Sequence, residues 1–411
     1  MDFDDNPGEA AWRARARAFL QAHAAPRRRG QPELAKRLTA PELLAAAREW
    51  QALKADNGFA CITWPAEWGG PGGTPIEHVI FAQEEEGFDV PTGIFQVGLG
   101  MCVPTVIALG SDAMRQRFVR PAIRGEEIWC QLFSEPAAGS DLAGVRTRAI
   151  RAGEDWVING QKVWTTNAHL ADFGLLLVRT DPDVPKHKGL TMFWIDMRSS
   201  GVEVRPIHQI SGKSAFNEVW LTDALVPDAQ RLGDIGGGWK AALVTLMNER
   251  LAVGGAKGAD WPEIMDLART LPAAGGGSVL DDGGFRQRLA DWYVQAEGIK
   301  LTRFRAITAL SRGQTPGPES SIGKIVNANQ LQDLTHYAIE LQDQFGIIDD
   351  PALSPMSGIF HQGLLKAPGS RVAGGTDEIL RNIIAERVLG LPAEIRTDKD
   401  KPFRELPAGR A

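Results

Sequence analysis

The spacing of apolar and polar residues along the 411-residue chain changes twice. In the first stretch, residues 10–22 are rich in Ala, Arg and Leu. Residues 41–54 then set Leu43, Leu44, Ala47, Trp50 and Leu53 at helical spacing. Both segments predict helices, and Pro41 suits a first helical turn, where its missing N–H costs nothing. A third helix is predicted over 111–119, with Ser111 as its N-cap. A glycine- and proline-rich loop, residues 64–73, separates the second helix from the third.

From residue 127 the period shortens. Short β-rich runs occupy 128–133, 173–178, 190–195, 202–206 and 218–221. Residues 156–158 and 161–166 flank Asn159-Gly160, a dipeptide that suits a type I′ turn and predicts a hairpin. After Gly236 long helices are predicted over 239–252, 285–311, 320–344 and 377–389, with a glycine-rich loop over 273–284. No internal repeat is visible. The pattern predicts an α+β multidomain chain. An N-terminal helical domain covers 1–126, a middle β-sandwich or barrel domain 127–233, and a C-terminal helical bundle 234–395. A charged, poorly ordered tail covers 396–411.

Bulk properties narrow the function classes. The length calls for two or three domains. Net charge is −6, so nucleic acid and anionic membrane are not expected partners. No apolar run reaches the ~20 residues of a membrane span. The acidic start, Met1 to Asp5, does not have the pattern of a signal peptide. Cys61, Cys102 and Cys130 form no CxxC pair and no even framework, which points to a reduced, cytoplasmic setting. No metal-ligand cluster stands out.

Four segments stand out, in order along nearly the whole chain: Gln131-Leu132-Phe133-Ser134-Glu135-Pro136-Ala137-Ala138-Gly139-Ser140-Asp141; Asn159 to Asn167; Gly236 to Lys240 with Asn248-Glu249-Arg250; and Gly374 to Asn382 with Ala385 to Gly390. Together they resemble the acyl-CoA dehydrogenase family. The resemblance implies the family's fold, an FAD cofactor and an acyl-CoA substrate. It also implies an electron-transfer flavoprotein as partner and a dimer or tetramer of like or unlike chains. Carried over residue by residue, it implies cofactor contacts at Gln131, Phe133, Ser134, Gly139, Ser140, Trp164, Thr165, Thr166, Thr376 and Glu378. Ser140 is implied to reach the CoA portion as well. The residue types suit these roles. A flavin ring wants an apolar wall, a flat neighbour and a few donors, which Phe133, Trp164, Ser134, Thr165 and Thr166 supply. Gly139 and Ser140 let backbone N–H groups approach a phosphate. Thr376 is a good N-cap, and Asp377 and Glu378 suit a first turn.

The chain also departs from the family pattern. Many members place the α-proton base just before the Gly-Thr of the last segment, and here that position is Gly374. Other members carry it on the first long helix of the C-terminal domain, just before a substrate-binding arginine. The corresponding residues are Glu249, the candidate catalytic base, and Arg250, the candidate substrate contact. Trp239, Leu243, Leu246 and Arg250 recur at helical spacing, which predicts an apolar stripe with Arg250 on it. The arginine and Phe-Gly that usually contact a neighbour's FAD reduce to Arg269 and glycines. The later Gln-Gly-Gly pattern is degraded to 342–347, and Ala137 replaces a common glycine.

The primary expectation is FAD-dependent α,β-dehydrogenation of an acyl-CoA thioester. One alternative is a non-catalytic or half-catalytic subunit of a mixed tetramer, favoured by the degraded contacts. The other is a flavin oxidase or monooxygenase on the same fold, which would not need the glutamate.

Overall fold

The computed structural model describes residues 5–28, 34–252, 259–273, 275–311, 317, 320–395 and 398–407. Twelve α-helices are seen among them: α1 Pro7–His23, α2 Leu34–Arg37, α3 Ala40–Asp56, α4 Pro75–Glu85, α5 Val103–Leu109, α6 Asp112–Ile123, α7 Gly238–Ala252, α8 Trp261–Thr270, α9 Gly283–Ser311, α10 Ser320–Leu341, α11 Ile359–Val372 and α12 Asp377–Arg387. Eight strands lie between α6 and α7: β1 Trp129–Leu132, β2 Arg148–Ala152, β3 Asp155–Thr166, β4 Phe173–Arg179, β5 Leu190–Asp196, β6 Val202–Pro206, β7 Phe216–Pro227 and β8 Arg231–Leu232. The helical ends and the middle β-domain are those the sequence predicts.

Local chemistry sets the helix ends. Asn6 and Glu9 form a reciprocal capping box that starts α1 earlier than residue 10, with Pro7 in the first turn. Thr74 and Glu77 do the same for α4, and Asp260 and Glu263 for α8. The Ser111 side chain accepts from the Met114 N–H at 3.3 Å, the cap expected for α6.

The chain forms two compact units. One comprises residues 1–40, 74–90 and 255–393. Its core joins Ile264 and Leu267 of α8, Phe285 and Trp292 of α9, Leu334 of α10 and Phe360 of α11. In the same unit the Trp12 indole N–H donates to the Glu77 carbonyl at 2.9 Å, tying α1 to α4.

The other unit comprises residues 41–73, 91–254 and 394–411. It holds the sheet, in the order β6-β7-β3-β2-β4-β5-β8, with β1 parallel to β4. Leu175, Leu176, Leu177 and Val178 of β4 are all fully buried because the sheet is covered on both faces. Leu175 and Leu177 pack in one core with Trp129 and Phe118, while Leu176 and Val178 pack in another with Trp156 and Phe193.

Three expectations are corrected. Asn159-Gly160 does not turn the chain. β3 runs straight through it, pairing Asn159 with Arg148 on one side and Gly160 with Leu221 on the other. The turn lies earlier, where Ala152 pairs with Asp155 across a two-residue loop and Gly153 takes a φ of 67°. Gly160 is glycine for closeness: a Cβ there would lie 2.7 Å from the Thr147 Cα. Gly160→Ala is expected to destabilise this unit by about 1–3 kcal/mol, read from the denaturant midpoint.

The second correction concerns the tail, predicted to be poorly ordered. Residues 398–407 dock on the sheet unit, with Phe403 buried. The third concerns α7. The predicted stripe of Trp239, Leu243 and Leu246 holds only in part: Trp239 and Leu246 are half-buried against the core and Leu243 is exposed, while Ala241, Ala242 and Thr245 are the fully buried residues. Small residues take the deepest positions because α7 starts against the sheet. A Cβ at Gly238 would lie 2.6 Å from the backbone of Leu190 and Thr191 in β5.

Candidate functional site

The first and second motif segments meet at the ends of β1 and β3. β1 sits parallel to β4, so its exit delivers Phe133, Ser134 and Glu135 beside β3. The Val163 N–H donates to the Ser134 carbonyl at 2.9 Å. Lys162 is fully buried, and its Nζ donates to three oxygens: Glu135 Oε1 at 2.8 Å, the Phe133 carbonyl at 3.0 Å and the Leu177 carbonyl at 2.7 Å. Glu135 in turn accepts from the backbone N–H groups of Thr147 at 2.9 Å and Arg146 at 2.6 Å. Burial alone would push the Glu135 carboxyl up, but the Lys162 ammonium and these donors hold it below the ordinary glutamate value. One buried ion pair thus joins β1, β3, β4 and the start of β2.

Glu135 and Lys162 both stand inside the motif segments, yet neither is among the residues to which the sequence assigns a role. The signal was available: Lys162 shares the alternation of Trp156 and Ile158, an inward register where a lysine needs a partner.

β3 slips its register against β7 between Lys162 and Thr165. The extra residues form a bulge, and Trp164 there takes a φ of 60°, unusual for a bulky side chain. The bulge turns its indole outward, 58% exposed, in a T-shaped contact with Phe216 at 6.0 Å between centroids. Thr165 points the other way. Its Oγ1 is buried without a hydrogen-bond partner, while its carbonyl accepts from Asn217 Nδ2 at 2.9 Å. Thr166 and Ser134 are half-buried.

The remaining residues of the set differ in exposure. Phe133 is buried in the core on the Trp129 face, and Gln131 is half-buried and pairs with Leu175. Gly139 and Ser140 are exposed at the tip of the loop between β1 and β2. That loop is held from behind. Glu135 and Ala138 exchange backbone hydrogen bonds at 3.0 Å, and Arg179 Nη2 donates to the Ala143 carbonyl at 2.6 Å. Burial pushes the Arg179 guanidinium down to about 10. Lys186 Nζ reaches both Asp141 oxygens at 2.8–2.9 Å.

Thr376 and Glu378 belong to the helical unit. Thr376 caps α12, accepting from the Ile379 N–H at 3.3 Å, and Glu378 is exposed in the first turn. The Glu378 carboxyl is held below its ordinary value by its own N–H and by the Thr376 hydroxyl. Gly374 and Gly375 before it take φ of 66° and 95°, a conformation that L side chains rarely adopt. Thr376 and Glu378 lie in the helical unit, and the β1–β3 set lies in the sheet unit. Glu249 and Arg250 fall within α7, and their side chains lie outside the described residues.

A planar redox cofactor fits what the β1–β3 set presents. There is an exposed indole held in an unfavourable backbone conformation, a buried hydroxyl without a partner beside it, and a small-residue loop at the adjoining strand end.

Comparison with known proteins places the whole chain. The models "Acyl-CoA dehydrogenase, N-terminal domain", "middle domain" and "C-terminal domain" match residues 6–126, 130–223 and 236–389. Acyl-CoA dehydrogenase FadE34 of Mycobacterium tuberculosis is 38% identical over 396 residues; the alignment covers 94% of this chain and only 53% of that protein. This chain therefore spans about half the length of that relative. Acyl-CoA dehydrogenase IpdE1 of the same organism is 35% identical over 364 residues, 86% of this chain and 90% of its own. A solved chain of the ChsE4-ChsE5 complex from Mycobacterium tuberculosis superposes with a TM-score of 0.79 at 25% identity, covering 96% of this chain and all of that one.

Proposed function

This chain belongs to the acyl-CoA dehydrogenase family, and on that footing we propose that it catalyses FAD-dependent α,β-dehydrogenation of an acyl-CoA thioester. The observation that carries the reading is the junction of the two motif strands, where Trp164 is presented outward and the Thr165 hydroxyl is buried without a partner. The exposed indole of Trp164 covers the flavin ring. Thr165, Thr166 and Ser134 offer hydroxyls or backbone groups to it, with Gln131 and Phe133 behind them. Gly139 and Ser140 receive phosphate groups, and Ser140 extends to the CoA portion. Thr376 and Glu378, at the start of α12, contribute the remaining cofactor contacts.

Bound FAD supplies the acceptor for the β-hydride. The protein's part is to take the α-proton, and Glu249 is the carboxylate for it, with Arg250 holding the substrate. Position 374, where other members keep this glutamate, is glycine with a φ of 66°. Glu249 follows Thr245 by four positions and Ala242 by seven, the spacing that repeats along one helix face. The relatives named as dehydrogenases do not favour the subunit-only or oxidase alternatives. The reading extends to an electron-transfer flavoprotein that takes the electrons onward, an oligomer of like or unlike chains, a role in β-oxidation of a fatty-acid or side-chain thioester, and a cytoplasmic location. Among the described residues no helix is long and apolar enough to cross a membrane.

The test is an anaerobic titration of the purified protein with a panel of acyl-CoA thioesters, followed at the oxidised-flavin absorbance. A yellow protein bleached by one class of thioester is the expected result. A colourless protein would remove the flavin, and a yellow protein that no thioester bleaches would remove the dehydrogenation.

A further inference from the structure

The docked tail reaches the loop that carries Gly139 and Ser140 by two routes. In the first, the Phe403 ring lies under the Arg179 guanidinium, 3.6 Å from its carbon to the ring centroid. All three guanidinium nitrogens of Arg179 donate to backbone carbonyls: Val145 at 3.3 Å, Ala143 at 2.6 Å and Lys186 at 2.8 Å. In the second, Lys186 Nζ bridges Asp141 at 2.8 Å and Asp398 of the tail at 2.6 Å. The tail is seated by its own backbone, with the Phe403 N–H donating to the Val184 carbonyl at 2.9 Å and the Arg404 N–H to Pro182 at 3.0 Å. A buried guanidinium whose hydrogen bonds go to neutral carbonyls gains from an aromatic face, and Phe403 provides one. Leu142 and Ala143, just past the exposed Ser140, are buried beneath this arrangement.

We propose that residues 398–407 form a strap that fixes the Gly139–Ser140 loop for the CoA thioester, with Phe403 and Arg179 as positioning residues. The proposal rests on the reading of Ser140 as a substrate contact given above. It assigns the charged end of the chain a part in substrate binding, not in proton or hydride transfer. The strap therefore acts on the affinity for the thioester and leaves the reactive groups in place.

The experiment uses the full-length holoenzyme and two variants that separate ring from bulk. Phe403→Leu keeps apolar volume and loses the π face, whereas Phe403→Trp keeps the face. In Phe403→Leu, exchange of the Gly144 and Val145 amides is expected to rise roughly tenfold relative to the rest of the sheet. KM for the acyl-CoA is expected to rise roughly five- to tenfold, with kcat within about twofold. Phe403→Trp should leave both near the parent values. Unchanged exchange in Phe403→Leu overturns the strap. Faster exchange with an unmoved KM overturns it as well, and Ser140→Ala then locates the fault. A raised KM in Ser140→Ala keeps the loop reading and removes the strap alone. An unmoved KM there removes Ser140 itself as a substrate contact.

Discussion

Glu249→Gln is expected to retain bound flavin and to slow its reduction by an acyl-CoA by about 10²–10⁴-fold, the range for loss of a positioned general base. The amide matches the carboxylate in shape, so binding is preserved while basicity is removed. The size of the effect follows from the scarcity of substitutes. Gly374 supplies no side chain at the position other members use, and its φ of 66° makes any L residue there strained. The helix that carries Glu249 is well founded at its start. Gly238 lies against the β5 backbone, and the Thr245 hydroxyl shares a 2.8 Å hydrogen bond with Thr105, both fully buried. Rapid mixing under anaerobic conditions reads the reduction rate directly, apart from any later electron transfer. Reduction at the parent rate would dismiss Glu249 as the base. A variant that loses flavin as well would point instead to a structural part for the residue.

The same molecule shows what a single sequence exposes and what it hides. Element types were readable because they follow local chemistry. Ser111 and Thr376 announce their helices, and the unbroken apolar run of β4 announces a sheet buried on both faces. The family motifs located the strand ends that meet at Lys162. Three features escaped, each for a nonlocal reason. The Asn159-Gly160 pair is a sound turn signal, but pairing with both β2 and β7 holds β3 extended through it. The charged tail looked unable to pack. Phe403 nevertheless finds the buried guanidinium of Arg179, more than two hundred positions away. The large apolar residues of α7 suggested its buried face, yet close approach to β5 gives the deepest positions to small ones and leaves Trp239 and Leu246 half-buried beside them. Local signals therefore carried the elements, and long-range partners decided what each element buries.

Lys162→Met tests the other long-range decision, the ion pair on which the motif strands converge. Removing one partner of a buried pair costs about 3–5 kcal/mol, because the other charge is left uncompensated. Here the loss also strips a donor from the carbonyls of Phe133 and Leu177. Chemical denaturation followed by tryptophan fluorescence should show the loss in the transition of the sheet unit, with weakened flavin retention beside it. The pH dependence gives the test a sign. In the parent, the Glu135 carboxyl is held below its ordinary value. Its stabilisation is therefore present above the unfolded-state value and fades as pH falls through the lower folded one. In Lys162→Met the ammonium is gone and burial dominates, so the folded carboxyl rises above its unfolded value. The sign then reverses: the variant's deficit is smallest in acid, where Glu135 is protonated, and grows as pH rises through the glutamate range. Glu135→Gln in the same background removes the titrating group and should flatten that slope. A Lys162→Met deficit that stays constant from acid to neutral pH would show that Glu135 is not the charge Lys162 compensates. The junction would then depend on the two carbonyl contacts of Lys162 instead of on the ion pair.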